Sequence, residues 1–92
     1  MRFAARFGTP NELDVKTHKT PTQSKNFLVG KIQDRIEWAY RYNHEASRRL
    51  ADVREELSSL NVGSLPKGDP RRWTVEDEVT GVKFVYEVER IE

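Results

Sequence analysis

Cysteine is absent from this chain, so neither a disulfide nor a thiolate metal site can hold it together. That absence fits a reducing compartment. No apolar run is long enough to cross a bilayer. The opening MRFAARFGTP is a poor secretory signal, because Arg6 interrupts its short apolar stretch. Met1 reads as a true start, and the expected location is the cytoplasm. Histidine is scarce as well, with only His18 and His44. The run HEASR places Arg48 where the H-E-x-x-H motif needs its second histidine, so His44 reads as a solvated or capping residue rather than a metal ligand. There is no P-loop, no dinucleotide fingerprint and no Ser-His-Asp order, and the stretch SLNVGS is too poor in glycine to cradle a phosphate. The expectation is therefore no cofactor, no metal, no catalytic residue and no enzyme.

What is present is a short, surface-rich chain. Its 92 residues make a single α+β domain, residues 1–92. A core of this size is small, and stability is marginal without added buried area. The composition is 36% hydrophobic and 34% charged, with a net charge of only +1. That charge is unevenly spread. Residues 1–30 carry five basic and two acidic side chains, whereas residues 73–92 carry two basic and six acidic. Such a dipolar chain can offer a basic face to one partner and repel another with its acidic face, although ordinary solubility accounts for the same pattern.

Hydrophobic periodicity gives the element order. Phe3, Ala5 and Phe7 alternate with Arg2, Ala4 and Arg6, as in a half-buried strand. GTPNE is a turn, and Leu13, Val15 and Thr17 alternate again, completing a hairpin. TPTQ is a helix start, with Thr20 as cap and Pro21 in the first helical position, while Ser24 is a competing cap. From Val29 a stripe follows at spacings of three and four: Val29, Ile32, Ile36, Ala39, Asn43, Ala46, Leu50, Val53, Leu57, Leu60. The helix is expected to stop near Asn61–Gly63, where either residue can take a left-handed cap. GSLPKGDPRR is a loop. RWTVEDEVTGVKFVYEVERIE is a second hairpin. A turn at Thr80–Gly81 sets Val79 against Val82, Asp77 against Phe84, Val75 against Tyr86 and Trp73 against Val88, with Lys83 across from Glu78. One face is then apolar except for Asp77, and the other carries Glu76, Glu78, Glu87 and Glu89. The architecture is an antiparallel four-stranded sheet of two hairpins packed on a central helix or bent helix pair, in the order ββα(α)ββ.

Asn43 interrupts the stripe. A polar residue at a seam fixes register in a helix–helix interface, here possible as a homodimer, with small Ala39 and Ala46 allowing close approach. The alternative is a break near Tyr42–His44, with Asn43 capping a second helix and the protein a monomer. In either case Trp38, Tyr40 and Tyr42 project around the helix and cannot share one core. Glu37 with Arg41, Glu45 with Arg49 and Arg48 with Asp52 stand at helical ion-pair spacing. Three groups pair cations with aromatics or loops. The first is Arg41, Arg48 and Arg49 with Trp38 and Tyr42. The second is Lys16, Lys19, Lys25 and Lys31. The third is Lys67, Arg71 and Arg72 beside Trp73. Arginine with aromatics serves both phosphate contact and base stacking and protein–protein hot spots. The near-zero net charge disfavours a dedicated nucleic-acid binder.

Small size, no cysteine, no catalytic motif and a charged α+β pattern together resemble the small phage-encoded inhibitors of bacterial defence known as anti-CRISPR proteins. The resemblance covers general character and carries over no residue. It implies a non-enzymatic protein, acting in the infected host's cytoplasm, that binds a larger protein or ribonucleoprotein and touches its RNA or DNA. The competing expectation is a small DNA- or RNA-binding accessory protein.

Overall fold

The alternation at the N-terminus builds strand β1, Phe3–Thr9, which turns at Pro10 and Asn11 into β2, Glu12–His18. These come from a computed structural model of the chain, which describes residues 1–42 and 44–92. Two helices follow, α1 (Pro21–Tyr42) and α2 (His44–Ser59), then a single 3-10 turn at Val62–Ser64. Strands β3 (Arg71–Glu76) and β4 (Lys83–Arg90) complete the order ββααββ. All strand pairs are antiparallel, in the order β2-β1-β4-β3, so the first and last strands lie side by side at the centre. The sequence-predicted α+β sandwich is the observed fold.

The helical region folds back on itself. At its start the Thr20 hydroxyl accepts the Gln23 N–H (3.2 Å), the expected cap, with Pro21 next to it. Ser24 is no cap; it is fully buried, with its hydroxyl 2.7 Å from His18 Nδ1 on β2. Lys25 near the start of α1 donates to the Leu60 carbonyl just past the end of α2 (2.8 Å), and Arg54 donates to Gln33, so the helices run antiparallel. Ala39 and Ala46 are both buried in this chain's own core, which fills the small-residue seam from within. The capping role expected of Asn43 lies outside the described residues. No left-handed cap ends α2: among the described residues none other than glycine has positive φ, and Gly63 does not either. Instead the Leu57 carbonyl accepts the Leu60 N–H (3.1 Å), and the Lys25 ammonium takes the Leu60 carbonyl just past the helix.

The core is the stripe seen in the sequence, widened. Ile32, Ala39, Ala46, Leu50, Val53 and Leu57 are buried, but Leu28 is buried more completely than Val29, and Ile36 and Leu60 only pack against the cluster. A helix wedged between a sheet and a second helix must bury a wider arc than one heptad seam. Phe3, Ala5, Val75, Tyr86 and Val88 supply the sheet's side of the core. At Gly8 the chain has φ +147°, and a Cβ there would stand 2.3 Å from the Glu12 carbonyl oxygen, so only glycine allows the first hairpin to close as it does.

The second hairpin is paired two residues away from the expected register. Val75 faces Phe84, Trp73 faces Tyr86, Arg71 faces Val88, and Lys83 faces Glu76 rather than Glu78. Asp77 is the reason. Its backbone N–H donates to the Val82 carbonyl (2.7 Å), its own carbonyl accepts from Gly81 (2.6 Å), and its Oδ1 accepts the Val79 N–H (2.9 Å). Glu78–Gly81 thus forms a longer loop, with Gly81 at φ +73°. A slip of two preserves the faces of the strands, but it moves Val79 and Val82 out of the expected apolar face into solvent. The acid that looked misplaced on that face is the organiser of the loop.

The sheet's outer face is held by charge. Arg6 Nη1 donates to Glu87 Oε2 (3.0 Å) and Glu89 Oε1 (2.6 Å), and Arg72 Nε donates to Glu87 Oε1 (3.1 Å). Burial disfavours the charged Arg6, but its bonds to Glu89 and Glu87 outweigh that and raise its pKa. Beside this network, on the face opposite Phe3 and Ala5, Ala4 and Val85 are 1% and 2% exposed.

Removing the loop organiser has a defined cost. Asp77→Ala is expected to lower stability by about 1.5–3 kcal/mol, the worth of the hydrogen bonds its carboxylate accepts. Asp77→Asn keeps an acceptor and should lose less, and chemical denaturation of both variants checks the order. His18 gives a pH signature. Burial, then Lys16, lowers its pKa below the ordinary value of about 6.5. The unfolded chain therefore takes up that proton first, so the stability is present above pH of about 6.5 and lost as pH falls through the lower folded-state value. His18→Gln should flatten the fall of Tm with acid; an unchanged slope would assign the acid sensitivity to other groups.

Candidate functional site

Along α1, Lys31, Arg35, Trp38 and Tyr42 recur at spacings of three and four, so they share one flank of the helix. This flank overhangs the end of the sheet where β1 carries Phe7 and Gly8 and β4 carries Phe84 and Tyr86. Between them lies an open groove of about 380 Å³. Its floor is aromatic. Phe7 meets Phe27 edge-on (5.8 Å between ring centres), and Lys31 Nζ sits 5.1 Å from the Phe7 ring and 5.4 Å from Phe27. Arg35 is held between two rings, 4.4 Å from Phe84 and 5.2 Å from Trp38. Such cation–aromatic contacts hold a guanidinium or ammonium in place while leaving its N–H groups available. Burial pushes the Tyr86 phenol above its ordinary pKa, an effect that the neighbouring Arg35 partly offsets. Asp34 adds one carboxylate to the lining.

Beyond the groove the helix pair ends in exposed aromatics. Trp38 packs on Tyr42 (5.2 Å) and Tyr40 meets His44 edge-on (5.0 Å). Trp38, Tyr40 and Tyr42 are 42%, 63% and 67% exposed, as their projection around the helix requires. Arg41 and Arg48 are exposed and, among the described residues, form no ion pair; the expected pairs Glu37–Arg41 and Arg48–Asp52 are not made. Arg49 differs. It bridges Glu45 (3.6 Å) and Glu78 (3.0 Å), tying α2 to the β3–β4 loop.

The other predicted cations are scattered. Lys19 lines a shallow depression with Arg2 and His18, while Lys16 is exposed on β2. Lys25 is committed to the Leu60 carbonyl, and Lys31 alone of that group reaches the groove. Lys67 is exposed in the loop after the 3-10 turn. Arg71 lies 6.0 Å from the Trp73 ring, Arg72 belongs to the Glu87 pair, and the Trp73 indole donates to Glu56 (2.6 Å). The structure thus gathers Lys31, Trp38 and Tyr42 on one flank with Arg41 near them in sequence, and leaves the remaining cations apart.

Sequence reasoning missed Arg35, Asp34, Phe7, Phe84 and Tyr86 as groove residues. Arg35 was legible as the residue one turn before Trp38. Phe84 and Tyr86 do belong to the core that the hairpin pattern predicts, and nothing in the sequence says that they also line a groove.

The Ser24 hydroxyl that meets His18 is sealed in the core, where no substrate reaches a nucleophile. Among the described residues no group of His, Asp or Glu is arranged to hold a metal ion, and no helix is long and apolar enough to cross a membrane. Comparison with family models, with curated proteins and with solved structures finds no match to this chain.

Proposed function

We propose that the protein is a non-enzymatic interaction protein that docks the flank and end of its helix pair onto a larger protein or ribonucleoprotein. In this reading it blocks nucleic-acid binding by a nucleic-acid-guided defence complex, in the manner of the phage-encoded inhibitors whose general character it shares. One observation carries the reading. A chain with so small a core leaves Trp38, Tyr40 and Tyr42 in water, beside Arg41 and Arg48, which have no ion-pair partner among the described residues. Tryptophan, tyrosine and arginine are the residues that dominate binding energy at protein interfaces. Leaving three large aromatics exposed contributes nothing to the fold, and their burial against a partner would recover that area.

A second reading rests on the groove. Lys31 stands over Phe7, and Arg35 beside Phe84 and Trp38, an arrangement suited to phosphate and base, as in single-strand binders. Acting alone, these two cations neutralise few phosphates, so binding to free nucleic acid is weak and lost at moderate salt.

The test measures target-DNA binding by purified CRISPR–Cas effector complexes with and without the protein. Wild type is expected to suppress it. Trp38→Ala, Tyr42→Ala and the pair Arg41→Glu with Arg48→Glu should each weaken suppression by roughly 30-fold or more, the scale of an interface hot spot. Their thermal stability should stay within about 1 kcal/mol of wild type. Arg49 is left out because its reversal would break the ties to Glu45 and Glu78. Variants that fold and still suppress would remove this surface from the mechanism. Nanomolar binding to naked duplex at physiological salt would replace the inhibitor reading with the accessory-protein one.

A further inference from the structure

Strand β2 lies at the edge of the sheet and, among the described residues, pairs only with β1. Its outer row of N–H and C=O groups therefore has no strand partner. Proteins commonly blunt such an edge with proline, a bulge, shortness or charge, and the charges on β2 exclude partners that do not match their signs. β2 has seven residues and contains neither proline nor glycine. Its side chains form two rows. Glu12, Asp14, Lys16 and His18 stand opposite Thr9, Phe7, Ala5 and Phe3 on the helix side, and Leu13, Val15 and Thr17 stand on the outer side. Val15 is 58% exposed.

The charges of this row contrast with those beside it. On β1, β3 and β4, Arg6, Arg72, Glu87 and Glu89 satisfy one another. Among the described residues Glu12, Asp14 and Lys16 have no ion-pair partner within the chain.

The row is complementary to itself when reversed. With a second β2 laid antiparallel so that Val15 faces Val15, Asp14 meets Lys16 of the second copy, and the two-fold axis repeats the pair. Glu12 meets His18, and Leu13 meets Thr17. The neighbouring registers that keep the faces fail. A slip of two one way sets Lys16 against Lys16; a slip of two the other way sets Asp14 against Asp14. Directly opposed like charges destabilise a strand pair. A slip of one turns the apolar row to the wrong face.

We propose that the protein pairs with a second copy of itself through β2, antiparallel and centred on Val15, to form one continuous sheet across both chains. The Leu13–Val15 rows of the two copies then join into a single apolar strip on the outer face. A strand pair alone covers less area than a standard stable interface, so the dimer forms and dissociates with concentration. It does not depend on the helix flank or on the partner proposed for it.

Sedimentation velocity over a series from low micromolar to millimolar chain tests this. Wild type is expected to shift from monomer to dimer. Asp14→Lys and Lys16→Asp should each weaken self-association about tenfold or more, by setting like charges opposite. Mixing the two variants should restore dimer, because each introduced charge then meets its opposite, and so should both substitutions in one chain. Positions 14 and 16 are exposed, and circular dichroism confirms that the variants fold. A wild type that stays monomeric throughout the series overturns the proposal. So do single variants that associate as tightly as wild type, or a mixture that remains monomeric.

Discussion

The pairing of β1 with β4 is the contact on which the rest of this molecule depends. Each hairpin is local, but neither covers the helix pair alone, and only the central pairing makes one sheet of them. It joins Arg6 to Glu87 and Glu89, groups separated by 81 and 83 residues. Closing so long a loop costs chain entropy before any contact repays it. The compensation is concentrated at the seam. Phe3, Ala5, Tyr86 and Val88 pack beneath it, and the arginine–glutamate network lies above it. Beyond the seam the Ile91 N–H donates to the Arg2 carbonyl (2.9 Å), extending the join past the strands.

Much of this order could be read from periodicity. Alternation found the strands, the three–four stripe found the helical region as either one helix or a bent pair, and Thr20–Pro21 found where it begins. The central pairing could not be read, because antiparallel sheets of two hairpins can be assembled in several orders and the pattern of each strand is compatible with more than one. The register of the second hairpin was lost to Asp77. A short turn at Thr80–Gly81 satisfies strand alternation, yet the backbone bonds made by an aspartate outweigh that preference. The stripe also missed Leu28, since a seam model allows for one neighbour where α1 has two.

The candidate site was legible in its aromatics and less so in its cations. Trp38, Tyr40 and Tyr42 had to be partly exposed on any helix, and they are. Cations grouped by proximity in sequence were divided by the fold. Lys25 stabilises a helix end, Arg49 a loop, and Arg72 the buried Glu87, while Lys31 lies in the groove and Arg41 and Arg48 are exposed. Arg35 entered the site through packing. Its charge sits between two rings, a position that depends on β4 and α1 meeting at the end of the sheet.

The two tryptophans occupy opposite circumstances. Trp73 is half-buried on an edge strand with its indole N–H bound to Glu56 of α2, whereas Trp38 is in the groove beside Arg35 and open to water. The chain therefore contains two optical probes with separable environments. The emission of one follows the docking of α2 on the sheet, and that of the other follows whatever enters the groove. With either indole replaced by phenylalanine, folding and ligand capture become distinguishable signals in the same molecule.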